Sequence, residues 1–235
     1  MKISTFIVAT LCVVSTGCHA ERRYSDYDVF YAGQPGALFK TPVNQDRSAV
    51  YANSGGGGIY TDVQATIGGK PVKIQVGSNY LSINRKRYRF AQAAIFPGEH
   101  VTELYPNAAD IFIAQRAGNV PPLLCLEGHG NGSGEADRYQ QVYLLVDPLG
   151  RKGRKPEFLH LPSLLSSCRA VLKTADDRIA FPKNDYLVDE RQGTRVGLLV
   201  SYFTYEHGSF MPTNDTIRLR FVSPDNPFQF SRQDE

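Results

Sequence analysis

The chain has no tryptophan, two methionines and only four cysteines in 235 residues. Aromatic packing and any aromatic binding surface must therefore come from its thirteen tyrosines and thirteen phenylalanines. Several catalytic signatures are missing as well. No Gly-x-Ser-x-Gly elbow presents a nucleophilic serine, and no His-Glu-x-x-His pair stands ready for zinc. The run Gly55 to Gly58 is followed by Ile59-Tyr60-Thr61, so it lacks the lysine and the Ser/Thr of a phosphate-cradling loop. No period of 20 to 50 residues repeats, which removes solenoids and propellers. The net charge of +3 gives no electrostatic case for nucleic acid as a partner.

What is present begins at the N-terminus. Lys2 precedes an apolar run from Phe6 to Val14, about half the length of a membrane-spanning helix. Ser15-Thr16-Gly17 then leads to Cys18-His19-Ala20, a small-residue end, and Glu21-Arg22-Arg23 follows at once. Residues 1–20 read as a secretory signal peptide. Cleavage after Ala20 gives a soluble product. Thr16-Gly17 before Cys18 resembles a bacterial lipoprotein signal, with Ser15 where an aliphatic residue is the rule, and that route leaves a lipid on Cys18. The expected location is the periplasm or the outer membrane of a Gram-negative bacterium, with full secretion as a further destination. Membrane contact is expected only through Cys18.

Export changes the meaning of the cysteines. Cys12 leaves with the signal, and Cys18 is removed or blocked, so the mature domain keeps Cys125 and Cys168. Two thiols in an oxidising compartment point to one disulfide. Closing a loop of roughly 44 residues stabilises a fold by about 4 kcal/mol in the chain-entropy model. The alternatives are two separate buried thiols or a Cys-His nucleophile at Cys125. The apolar run Leu123-Leu124-Cys125-Leu126 opposes the last, because it raises a thiol pKa.

The hydrophobic pattern is mostly of period two. Ile59, Thr61, Val63, Ala65 and Ile67 alternate with polar neighbours, Gly68-Gly69 supplies a hairpin turn, and Val72 to Val76 returns. Further strand candidates are Tyr80–Ile83, Val101–Leu104, Ile111–Ala114, Tyr139–Val146, Arg195–Tyr205 and Thr216–Val222. One segment predicts a helix over about 162–173, because Leu161, Leu164, Leu165, Cys168, Val171 and Leu172 recur at helical spacing after Pro162. The expected fold class is mainly β: a single sandwich-like antiparallel domain with that one short helix, following a signal peptide. Residues 1–20 are the signal, 21–57 an N-terminal arm carrying Tyr24, Tyr27, Phe30 and Tyr31, and 58–235 the β-rich domain. A closed barrel stays open as the alternative.

Two segments stand out as sites. Between Glu127 and Asp137 the chain gathers His129, carboxylates and Ser133 on a glycine-rich backbone that can approach a ligand closely. Glu127, His129 and Asp137 are the candidates for acid–base work or metal binding, although the spacing matches neither a calcium loop nor a zinc motif. No metal or other cofactor is therefore expected. The second segment is Arg85-Lys86-Arg87-Tyr88-Arg89-Phe90; if extended, it sets Arg85, Arg87 and Arg89 on one face. Arginine forks there suit an acidic partner, and a charged edge strand that blocks unwanted pairing is the plainer alternative. A third feature, Tyr202, Phe203, Tyr205 and Phe210 with Phe228 and Phe230, reads as core packing or an aromatic surface.

These features favour a non-enzymatic module of the bacterial envelope that recognises another envelope or secreted protein, of inhibitor or immunity type. Arg85, Arg87 and Arg89 are its expected contacts. The second expectation is a hydrolase of envelope polymers built on His129 with Glu127 and Asp137. The third is a structural envelope lipoprotein.

Overall fold

The computed structural model describes residues 22–44, 59–129, 134–150 and 155–233. The expected signal peptide with Cys18, the glycine run Gly55–Gly58 and Ser133 lie outside them. The described elements run β1 (Arg23–Tyr24), α1 (Tyr27–Ala32), β2 (Ile59–Ile67), β3 (Lys70–Gly77), β4 (Tyr80–Ile83), β5 (Lys86–Arg89), β6 (Ala94–Ile95), β7 (Asp110–Ala114) and β8 (Leu123–His129). There follow β9 (Tyr139–Val146), β10 (Glu157–His160), β11 (Ser163–Leu164), β12 (Leu172–Lys173), β13 (Ile179–Asp189), β14 (Thr194–Glu206), β15 (Ser209–Ser223) and β16 (Asn226–Gln233).

These strands form three sheets. One has the order β2-β3-β4-β5, a middle sheet β6-β10-β9-β8-β7 with β11 beside β9, and a third β1-β16-β15-β14-β13-β12. The pairings are antiparallel except β6 with β10, so the protein is mainly β and sandwich-like.

The middle sheet is buried on both faces, and this explains its sequence. Leu124, Leu126, Tyr143 and Leu145 pack against Ile67, Ile74 and Leu81 of the four-stranded sheet. Their neighbours Leu123, Cys125, Val142, Leu144 and Val146 pack the other way, against Phe181 and the partly buried Phe203 and Phe210 of the third sheet. A strand covered on both sides has no polar face to alternate with, so β8 and β9 read as continuous apolar runs. Each fully buried aliphatic side chain contributes about 1.5–3 kcal/mol.

The hairpin expected around Gly68-Gly69 forms as β2–β3, with both glycines at positive φ (57° and 76°). That is the turn whose twist matches the flanking strands. After the β3–β4 pairing, the hairpin β4–β5 turns through Asn84 and Arg85, also both at positive φ (48° and 72°). Asn84 stabilises its turn by accepting the backbone N–H of Lys73 on Oδ1 at 2.9 Å.

The aromatic residues of the N-terminal segment are core residues. Asp26 caps α1 by accepting the N–H groups of Asp28 and Val29. Phe30 and Tyr31 are buried with Leu198, Val200, Tyr202 and Phe230 of the third sheet. The Tyr27 ring stacks on Phe230 at 4.2 Å.

The helix expected over 162–173 does not form. The segment contains β11, a 3-10 turn at Cys168–Ala170 and β12, and the single α-helix among the described residues is α1 instead. Ser163, Ser166 and Ser167 are buried along with Leu164, Leu165 and Cys168, so the stretch has no polar face to give to solvent. It runs as an extended strap between sheets, with Leu165 at φ 48°, and helical spacing of its apolar residues is incidental. Val101–Leu104 is likewise not a strand. Leu104 drops into the core while Val101 stays half exposed, so the chain there makes a single anchor.

Candidate functional site

β8 carries the glycine-rich candidates. Cys125 and Glu127 sit two residues apart and so project from the same face of the strand. Cys125 is bonded to Cys168 with a Cα–Cα separation of 5.9 Å, and both cysteines are fully buried. Glu127 reaches the same turn: Oε2 accepts the backbone N–H of Cys168, and Oε1 lies 3.4 Å from Arg169 Nη1. Arg169 also pairs with Asp28 of α1 at 2.6 Å, donates to the carbonyl of Lys40, and lies over the Phe112 ring at 4.8 Å. Burial pushes the Glu127 carboxyl up to about 7, against the opposing pull of the Cys168 N–H and Arg169. Its contacts join the middle sheet, the strap and α1. They occupy the oxygens that acid–base chemistry would need.

The other two candidates are placed differently. His129 is exposed at the end of β8, opposite Gln140, whose Nε2 lies 3.5 Å from the imidazole. The backbone of Asp137 lies in a 3-10 turn at Ala136–Arg138, just before β9. Among the described residues no group of three or more His, Cys, Asp or Glu side chains is placed to hold a metal ion.

Two buried ionisable groups carry no signal in the sequence. His160 stacks on Tyr143 at 4.1 Å and 9° and pairs its Nε2 with Gln141 Oε1 at 2.9 Å; burial drops its pKa to about 4. Glu99, with only 4% of its side chain exposed, faces Lys183 Nζ at 3.7 Å. Its Oε1 makes no hydrogen bond, and burial lifts its carboxyl to about 7. Glu99 and Lys183 meet across 84 positions of sequence, so only the tertiary fold reveals the pair.

The basic run becomes the outer edge of the four-stranded sheet. β5 pairs with β4 alone, and its opposite side has no strand neighbour among the described residues. Tyr88 is buried and donates its phenol to the carbonyl of Pro148, while Lys86, Arg87 and Arg89 are exposed. Arg85 is in the turn rather than on the strand, so the expected three-arginine face is a strand pair, Arg87 and Arg89, with Arg85 beside them at the corner. Arg87 lies over the Tyr80 ring at 4.5 Å and Lys86 over the Tyr88 ring at 5.1 Å. Among the described residues none of these four cations is paired with a carboxylate.

No protein-family model, curated protein or solved structure matches the chain.

Proposed function

We propose that the protein is an exported binding module that recognises an acidic partner protein through the cationic edge strand β5. The observation that carries this reading is the set of four exposed cations on a sheet edge and its adjoining turn, none of them paired with a carboxylate among the described residues. A sheet edge offers unpaired backbone groups to a docking strand or loop, and arginine forks on it select for carboxylates. The Tyr80 and Tyr88 rings support Arg87 and Lys86, which lowers the ordering cost of binding.

Export is part of the proposal. The Cys125–Cys168 bond suits an oxidising compartment, and residues 1–20 have the pattern of a secretory signal. The hydrolase reading loses support because Glu127 is engaged by Cys168 and Arg169. The test is ionic strength. The mature domain, starting at Glu21, should hold a protein from envelope or secreted fractions at low salt and release it at about 0.5 M salt. Retention that ignores salt overturns recognition through β5.

A further inference from the structure

Glu135 precedes the short turn that leads into β9, and two arginines converge on it. Arg138 Nη1, in that turn, donates to Glu135 Oε1 at 2.9 Å. Arg195 Nη1, on β14, donates to the same oxygen. Two guanidinium groups 57 residues apart in sequence thus share one carboxylate oxygen.

Both arginines are also held by groups other than that carboxylate. Arg138 Nη1 lies 2.8 Å from the Tyr186 hydroxyl, and its guanidinium carbon is 5.9 Å from the Phe228 ring centre. Arg195 lies over the face of Tyr186 at 4.3 Å. Tyr186 on β13 therefore orients both forks, and removing Glu135 leaves them aimed at the same point. Asp225, the nearby acid, accepts the backbone N–H of Arg195 at 2.9 Å.

Glu135 itself is easy to displace. Half of its side chain is exposed, and it makes no capping hydrogen bond to the turn it begins. Exposed ion pairs contribute little net stability. Two guanidinium groups share this one carboxylate as their ion-pair partner, and Asp225, whose charge also acts on Arg195, is engaged by a backbone N–H. The margin is apolar: Phe228 is 55% exposed beside Arg138, and Val188, 50% exposed, lies directly across from Arg195.

We infer that Arg138 and Arg195 form a carboxylate receptor for an acidic peptide segment, and that Glu135 fills it in the free protein. The preferred segment places an apolar or aromatic residue next to its acidic one, to meet Phe228 and Val188. The site lies between the third sheet and the turn that leads into β9 of the middle sheet, separate from β5, and holds whether or not β5 is a recognition edge.

The test uses two peptide probes, acetyl-Glu-Phe-amide and acetyl-Gln-Phe-amide, titrated into the mature domain and followed by the arginine Nε–H resonances. The Glu probe should bind and the Gln probe should not. Glu135→Gln should tighten binding about fivefold, which is ~1 kcal/mol of removed competition. Arg195→Gln should abolish it while leaving the thermal transition in place, and Arg195→Lys, which keeps charge but not the fork, should recover only part. The inference is overturned if neither parent nor Glu135→Gln binds the Glu probe, if the Gln probe binds equally, or if Arg195→Gln retains binding. If Arg85→Ala/Arg87→Ala/Arg89→Ala alone removes probe binding, the peptide reports on β5 and this inference fails while the reading of β5 stands.

Discussion

Glu127 accepts the backbone N–H of Cys168, the residue whose sulfur is bonded to Cys125 two positions earlier on the same strand. A covalent and an ionisable contact therefore fix one turn to one strand, and the strap 163–171 is held across the sheet by both. Arg169, the next residue, extends the link to Asp28 of α1.

This arrangement has a pH signature. The folded chain keeps the Glu127 proton up to about pH 7, whereas glutamates in an unfolded chain release it near 4.3. The associated stability is complete below about pH 4.3 and is lost as pH rises through about 7. Glu99 acts with the same sign, because burial holds its pKa at about 7 too. His160 acts with the opposite sign: its depressed pKa of about 4 costs stability as pH falls from about 6.5 towards 4. Above about pH 6.5 the two carboxyls act alone, so stability should fall from pH 6.5 to 8. Glu127→Gln should gain about 1–3 kcal/mol on the parent between pH 5 and pH 8. Urea unfolding of both proteins at the two pH values measures this, and parallel pH profiles would refute it.

The disulfide predicts a separate loss. Replacing Cys125 and Cys168 together by alanine should cost about 4 kcal/mol, less any native strain released. Thiol titration of the denatured, unreduced mature domain should find neither cysteine free; two free thiols would remove the staple from the account.

Gly197 sets the approach of β14 to β15. A methyl group added there would lie 2.1 Å from the carbonyl oxygen of Leu219, a backbone atom that cannot rotate away. Gly197→Ala should therefore cost more than about 2 kcal/mol, as overpacked backbone contacts do. Gly208→Ala, in a turn at φ 84° with open space around it, should cost only about 1 kcal/mol. Equal midpoints in denaturant for the two variants would contradict this.

Arg85 holds a left-handed backbone conformation that glycine adopts freely. Arg85→Gly should raise stability by up to about 1 kcal/mol and at the same time weaken capture of an acidic partner. A variant that is less stable, or that binds as well as the parent, would show that the residue is kept for another reason.

Local features were legible in the sequence and long-range ones were not. The Gly68-Gly69 hairpin, Tyr80–Ile83 and Tyr139–Val146 were readable because turn chemistry and apolar pattern act over a few residues. The two remaining cysteines left one pairing. The strap misled because Leu161, Leu164, Leu165 and Cys168 happen to recur at helical spacing while the serines between them are buried too. α1 gave little signal, being only six residues long. The partition of the core into two layers around β8 and β9 was hidden, since a strand buried on both faces looks the same whatever covers it. At the candidate site, Glu127 was visible as a residue but its partners, the Cys168 N–H and Arg169, were not, and Glu99 and Glu135 gained meaning only from Lys183, Arg138 and Arg195.

The central claim is recognition through β5. Its most direct test is capture from envelope and secreted fractions, side by side, by the immobilised mature domain, by the variant Arg85→Ala/Arg87→Ala/Arg89→Ala and by Arg195→Gln, with the retained proteins identified by mass spectrometry. The account predicts one stoichiometric acidic protein on the parent and on Arg195→Gln, and its loss from the triple variant. Equal retention by the triple variant, or no specific partner on any of the three, would contradict it.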